Sequence, residues 1–270
     1  METENLTREN INQWTNDPCG GVYGKACPEG SKEYFEEVAR NRYQVYAPWL
    51  LNYADFPRYA GKKVLEIGCG MGIDLMEFAK AGAIVAGVDV TPKSIELAQK
   101  AFAAFDLKGE LANQNAQKLP FPDSTFDLVY SCGVLHHIPE AEATVKEIYR
   151  VLKPGGEVKI LLYYKNSLYY WLFLWLYRGV LQGEFLKGQK MPDILSRYVE
   201  YSENDARPYV RVYDKREMED LFRDFKNRQI QIFHLHKHGI PLLGYILPAS
   251  LLKAVEPYWG WYICLTGTKK

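Results

Sequence analysis

Three glycines, Gly68, Gly70 and Gly72, follow directly on the β-rich run at 63–67 (KVLEI), and a helical pattern opens at Asp74. Bare backbone at the mouth of a helix lets a ligand press against main-chain N–H groups. The dinucleotide fingerprint would need glycine where Ile73 stands, and no Gly-Lys-Ser/Thr phosphate loop follows. An acid at the helix start, Asp74, would also repel a pyrophosphate. The loop therefore suits a ligand with an amino-acid part and a nucleoside but no phosphate. The next apolar run, 84–88, ends at Asp89, whose carboxylate is placed to accept both hydroxyls of a ribose.

His136 and His137 lie just beyond a strand at 127–131, and imidazole exchanges protons near neutral pH. Two readings stand for the pair: one ring takes a proton from a bound substrate, or both pack the loop. His137 is preferred without being settled. Cys132, beside them, is a poor proton acceptor. Tyr163 and Tyr164 end another strand, where alternation sends them to opposite faces, so only one reaches a ligand. Arg207 and Arg211, with Arg197, stand among Glu200, Glu203 and Asp205. They are either paired and solvated or left to grip a substrate carboxylate. His234, His236 and His238 share one strand face but lack a carboxylate or cysteine signature, so an edge decorated with histidines is expected and no metal.

These residues need a scaffold, and the text supplies one. Strands at 63–67, 84–89, 127–131, 157–164, 229–235 and 261–267 alternate with helices at 74–81, 91–105, 140–151 and 215–225. Residues 153–156 (KPGG) read as a turn. That spacing predicts an α/β fold with a doubly wound, mainly parallel sheet, and one of the last two strands antiparallel at its edge. Two segments stand outside it: residues 1–60, with a helix at 32–51, and residues 165–213, inserted after the fifth strand. Both are expected to cover the crevice at the carboxyl ends of the strands as helical lids. The core is then 61–164 with 214–270. Within the insert, 168–181 is aromatic nearly all round, so it must be buried or cover something apolar: an acceptor channel, a homodimer face or a membrane surface. The apolar stretch 240–252 is a partner for it. The uncharged run stops at Arg178, about half the roughly 20 residues of a bilayer span.

The 270 residues balance 33 Lys+Arg against 33 Asp+Glu, which removes the simplest case for nucleic-acid binding. At 47% hydrophobic the chain has material for a real core. Five scattered cysteines form no disulfide or zinc framework, and the first residues are polar, without a secretory signal. A soluble, cytoplasmic protein is expected.

Four stretches, LEIGCGMG, VDVTPKSIELA, NAQKLPFPDSTFDLVYSCGVLHHIPE and EIYRVLKPGG, together resemble the class I S-adenosylmethionine-dependent methyltransferases. The likeness is to the small-molecule group of ubiquinone/menaquinone-type enzymes. It covers about residues 60–164, more loosely the final helix and strands, and neither 1–50 nor 165–213. The resemblance implies a seven-stranded Rossmann-like sheet and S-adenosylmethionine as cofactor. By it, Gly68, Cys69, Gly70 and Gly72 border the methionine part and Glu66 supports the loop from behind. Asp89 takes the ribose and Val90 flanks the adenine. Asn115-Ala116 stands where the family often has Asp-Ala, so the usual charge-assisted adenine contact is lost although an amide can still accept. Ser131 and Cys132 line the sulfonium side, and Tyr43, beside Arg42, closes over the methionine or packs the lid. His137 or His136 becomes the base, with Tyr163 near it; from the residues alone, outside the resemblance, Arg207, Arg211 and Tyr164 are the candidates to face the acceptor. The implied reaction moves a methyl group to O, N, S or C of a small or partly apolar metabolite. A non-catalytic S-adenosylmethionine-binding protein whose lid contacts a partner is the alternative, and a nicotinamide enzyme is disfavoured by Ile73.

Overall fold

Val64, Leu65 and Ile67 point apolar groups to both faces of their strand, which is stable only in the interior of a sheet covered on both sides. The computed structural model, which describes residues 2–200, 207–235, 237, 240, 244 and 246–270, places this strand there. In chain order the strands are β1 (Lys63–Ile67), β2 (Ile84–Asp89), β3 (Glu110–Asn113), β4 (Phe126–Cys132), β5 (Leu152–Tyr163), β6 (Phe225–Phe233) and β7 (Tyr262–Lys269). The helices are α1 (Glu2–Asn16), α2 (Lys32–Arg40), α3 (Leu50–Ala54), α4 (Ile73–Lys80), α5 (Pro92–Ala104), α6 (Ala141–Val151), α7 (Met191–Tyr198), α8 (Lys215–Leu221) and α9 (Ala249–Trp259). The seven strands lie in the order β3-β2-β1-β4-β5-β7-β6. β1 pairs in parallel with β2 and β4, β2 with β3, and β4 with β5, whereas β7 runs antiparallel to both β5 and β6. This is the doubly wound, mainly parallel sheet that the alternation predicts, with the seven strands that the resemblance implies.

The strand order reverses between β1 and β4, and a crevice opens beyond their carboxyl ends. The glycine loop leaves β1 at that point and the histidine pair leaves β4 there. Buried residues fill both sides of the sheet, one cluster including Phe35, Leu75 and Phe78, the other Leu135, Ile148 and Met218.

Three local expectations are corrected and a fourth is narrowed. The antiparallel strand, β7, lies one place in from the edge, which β6 occupies. The KPGG segment belongs to β5: Phe126 pairs with Leu152 and Leu128 with Glu157, so Lys153–Gly156 form the long side of an irregular register. The helix expected at 32–51 is interrupted after Arg40 by a wider turn, Asn41–Tyr46, and broken at Ala47-Pro48 before α3 begins. Finally, the aromatic segment Tyr169–Leu181 forms a wide-turn helix that is only half covered. Tyr170, Leu174 and Gly179 are buried, while Trp171, Trp175, Val180 and Leu181 are exposed. α7 packs against this helix, and α9 packs against β6. No helix among the described residues is long and apolar enough to cross a membrane.

Candidate active site

Gly68 and Gly70 adopt φ of 70° and 53°, and the amides of Gly68 and Cys69 both donate to Val88 O, at 2.8 and 3.1 Å. The loop is thereby bolted to β2. A Cβ on Gly68 would land inside the Val134 side chain, whereas one on Gly70 would meet nothing within 4 Å. Gly68 is thus fixed by packing and Gly70 leaves room for a ligand. Gly68→Ala is expected to displace the loop at a cost of about 1–3 kcal/mol and to weaken S-adenosylhomocysteine binding roughly tenfold or more in calorimetry. Asp89 closes the other side: Oδ2 accepts from Gly70 N at 2.9 Å and Oδ1 from Thr91 N at 2.8 Å. Burial raises its pKa, and those two amides offset only part of the rise.

The loop and Asp89 form one end of a cavity of about 500 Å³. Of the residues expected at this end, Glu66, Gly68, Cys69, Gly70, Asp89 and Val90 line it, as do Asn115, Ala116 and Cys132. Asn115 Oδ1 already accepts from Gln117 N at 2.9 Å, a local turn that orients the side chain. Three expectations are corrected. Gly72 caps α4 and faces Ala98 and Phe102 on α5. Ser131 is buried, its Oγ donating to Ile67 O at 3.0 Å between β4 and β1. Tyr43 turns its hydroxyl to Asp74 Oδ1 at 2.5 Å instead of facing the cavity.

That contact belongs to a cluster the sequence reading did not assemble. Arg42 Nε and Nη2 donate to Asp74 Oδ1 and Oδ2 at 2.6 and 2.5 Å, and Tyr130 Oη donates to Oδ2 at 3.0 Å. Arg42 Nη2 also lies 3.3 Å from Cys132 Sγ. Burial alone would raise the Asp74 pKa, but the guanidinium and the two tyrosine hydroxyls hold it below its ordinary value. Burial pushes the Cys132 thiol up to about 12, so it keeps its proton at neutral pH. Arg42 and Asp74 are 32 residues apart, and no local pattern couples them.

Of the two histidines after β4, one reaches the same cavity. His137 lines the cavity, and its Nδ1 lies 2.8 Å from Tyr209 O; since a carbonyl only accepts, Nδ1 carries a proton, which in the neutral ring leaves the lone pair on Nε2. Nε2 lies 3.5 Å from Glu200 Oε1. Asn10 on α1 braces the arrangement, donating to His137 O at 2.5 Å and accepting from Tyr209 N at 2.9 Å. Trp14, one turn on, meets the His137 ring edge-on at 5.4 Å. His136 is wholly buried, stacked on Tyr163 at 3.8 Å, with neither ring nitrogen hydrogen-bonded. Burial and then the neighbouring His137 hold its pKa well below the usual imidazole value. Tyr163 is sandwiched between His136 and Trp261, reaching the cavity and donating to Glu200 Oε1 at 2.5 Å. Burial and then the Glu200 charge raise its pKa well above the ordinary phenol value, so it serves as a donor that positions Glu200 and not as a base.

Ligand-type atoms of His136, His137 and Glu200 fall within 4.8 Å of one another. His136 does not reach the cavity, so that space meets only His137 and Glu200 of the three. Of the expected acceptor contacts, Tyr164 faces the opposite side of the sheet and bridges to Tyr213 in the core. Arg211 lies over the Tyr213 ring and 3.4 Å from Glu217, and Arg207 is exposed; neither lines the cavity. His234 packs against Tyr46 and Tyr262, and His236 and His238 lie outside the described residues, as do Glu203 and Asp205.

Residues 65–160 match the methyltransferase domain family. A sterol 4-C-methyltransferase of Caenorhabditis elegans is 40% identical over 95 residues, 34% of this chain and 28% of that protein. A demethylmenaquinone methyltransferase of Symbiobacterium thermophilum is 31% identical over 153 residues, 50% of this chain and 61% of that protein. The chain thus spans between about a quarter and three-fifths of the length of these relatives. Among solved structures, an S-adenosylmethionine-dependent methyltransferase from Methanosarcina mazei superposes with a TM-score of 0.56 at 22% identity, covering 82% of this chain and 97% of that one. Residues 65–160 are thus similar to methyltransferase domains, and the fold is that of a solved S-adenosylmethionine-dependent methyltransferase. The site fits that cofactor: Gly70 is open to the cavity, and the buried Oε2 of Glu66, which lines the same space, has no hydrogen-bond partner.

Proposed function

We propose that this chain moves the methyl group of S-adenosylmethionine to a small, partly apolar acceptor. The observation that carries the reading is a single cavity lined by Asp89, the open Gly70 and His137 together. The cofactor, when bound, supplies a methyl group already activated on a sulfonium. What remains for the protein is alignment, exclusion of water and removal of a proton. Asp89 holds the ribose through the lone pairs its two amide contacts leave over, and Val90 and Ala116 flank the adenine. Arg42, whose side chain is 25% exposed, turns its free edge to the methionine carboxylate. His137, its tautomer fixed by Tyr209, takes the acceptor's proton. The segments 1–60 and 165–213 act as lids that keep the reacting groups dry. Relatives named for sterol and menaquinone substrates favour an acceptor with apolar parts. Five free cysteines favour a reducing, cytoplasmic setting.

With methyl-labelled cofactor and an acceptor found in a cell extract, His137→Asn should lower kcat by about 100-fold while S-adenosylhomocysteine still binds. If the wild-type chain binds S-adenosylhomocysteine yet labels nothing from any extract, a non-catalytic binding role replaces the enzymatic one.

A further inference from the structure

We propose that this cavity binds an organic ammonium group beside Glu200, so that the methyl acceptor is an amine. The proposal rests on the methyl-transfer reading and names the substrate class of the same site. Charge is the first ground. Among the described residues lining the cavity the acids are Asp17, Glu66, Asp74, Asp89 and Glu200, whereas Arg42 is the one Lys or Arg and is already bidentate on Asp74. Asp74 is matched by Arg42 and Asp89 is given to the ribose; with the free edge of Arg42 given to the methionine carboxylate, no described Lys or Arg of the lining is left for an acceptor carboxylate or phosphate.

Aromatic lining is the second ground. Trp14, Tyr23, Tyr46, Trp49, Tyr163 and Tyr262 border the space, and ring quadrupoles attract cations, most strongly where water is excluded. Glu200 stands among them with a side chain only 10% exposed, and the contacts from Tyr163 and His137 both fall on Oε1, so neither uses Oε2. A carboxylate so enclosed, with no Lys or Arg paired to it among the described residues, is costly against a neutral acceptor and well matched to an ammonium ion.

Proton transfer is the third. An ammonium nitrogen has no lone pair and must lose a proton before it accepts a methyl group. His137 Nε2 is the group that takes it: the N–H bond of the acceptor breaks, its electron pair stays on nitrogen, and the proton passes to Nε2. The positive charge then rests on an imidazolium 3.5 Å from the Glu200 carboxylate. The same carboxylate thus meets the charge before and after the transfer.

Choline and 3,3-dimethylbutan-1-ol share a shape and differ in charge, which makes them the probes. Titrated calorimetrically into the full chain saturated with S-adenosylhomocysteine, choline should bind roughly tenfold tighter or better. In Glu200→Gln that preference should fall below about threefold. Equal affinities, tighter binding of the neutral alcohol, or no choline binding to the wild-type chain would each overturn the proposal. The wild-type comparison decides the matter even if the variant does not fold. Repeating it without S-adenosylhomocysteine separates the two readings: failure of that compound to bind counts against methyl transfer alone, while the choline preference still answers the question of charge.

Discussion

Asp89→Ala should weaken S-adenosylhomocysteine binding by about 1000-fold in calorimetry, because two charge-assisted contacts to a ribose contribute roughly 1.5–3 kcal/mol each. The variant also frees the amides of Gly70 and Thr91, which now donate to this carboxylate. A loop that has lost its anchor must be ordered by the ligand itself, which adds to the loss. Asp89→Asn keeps the shape but can accept from only one of the two amides, so its affinity should fall between wild type and alanine. Unchanged affinity in Asp89→Ala would mean that the nucleoside is held elsewhere, and the enzymatic reading would fall with it.

Asp74→Asn should cost about 3 kcal/mol of stability and lower Tm by roughly 6–12 °C, since removing one member of a buried pair strands the other charge. Two terms set the size. Arg42 loses its bidentate partner, and the hydroxyls of Tyr43 and Tyr130 lose an ionised acceptor. Glu66 offsets part of this: burial, and then the Asp74 charge, keep its pKa well above the usual value, so neutralising Asp74 lets Glu66 ionise toward Arg42. The pH dependence has a definite sign. The Asp74 pKa is lowered in the folded chain from an ordinary 3.8, so its contribution is complete above that value and drains away as pH falls through the folded one. Chemical denaturation of wild type and variant should therefore differ most at neutral pH and converge in acid. A gap that stays constant with pH would show that the cost lies in packing and not in charge.

The parts of this site that touch the glycine loop were legible because their signals are local. A strand, three closely spaced glycines and an acid ending the next strand lie within 27 residues and each has a backbone reason. Elements without such a reason escaped notice. β3 is four residues, ELAN, polar and at the sheet edge, so it offers no apolar run. KPGG has turn composition, yet the register around it absorbs the extra residues into β5. Glu200 sits in an insert with no pattern linking it to His137, and only the tertiary fold brings the two to 3.5 Å. Tyr163 and Tyr164 show the reverse case: alternation alone required that one face away, and Tyr164 does.

The seating of β7 constrains how the sheet can be built. It follows β6 in the chain yet separates β6 from β5, with ladders running along both flanks. β6 therefore has no place to dock until β7 arrives, and the edge of β5 stays bare meanwhile. The five parallel strands therefore keep a bare edge at β5 until β7 docks there, with β6 already paired to it or following it. Such a late, non-local step is slow. It makes the exposed border of the parallel strands the point where a growing chain most needs shielding from its neighbours.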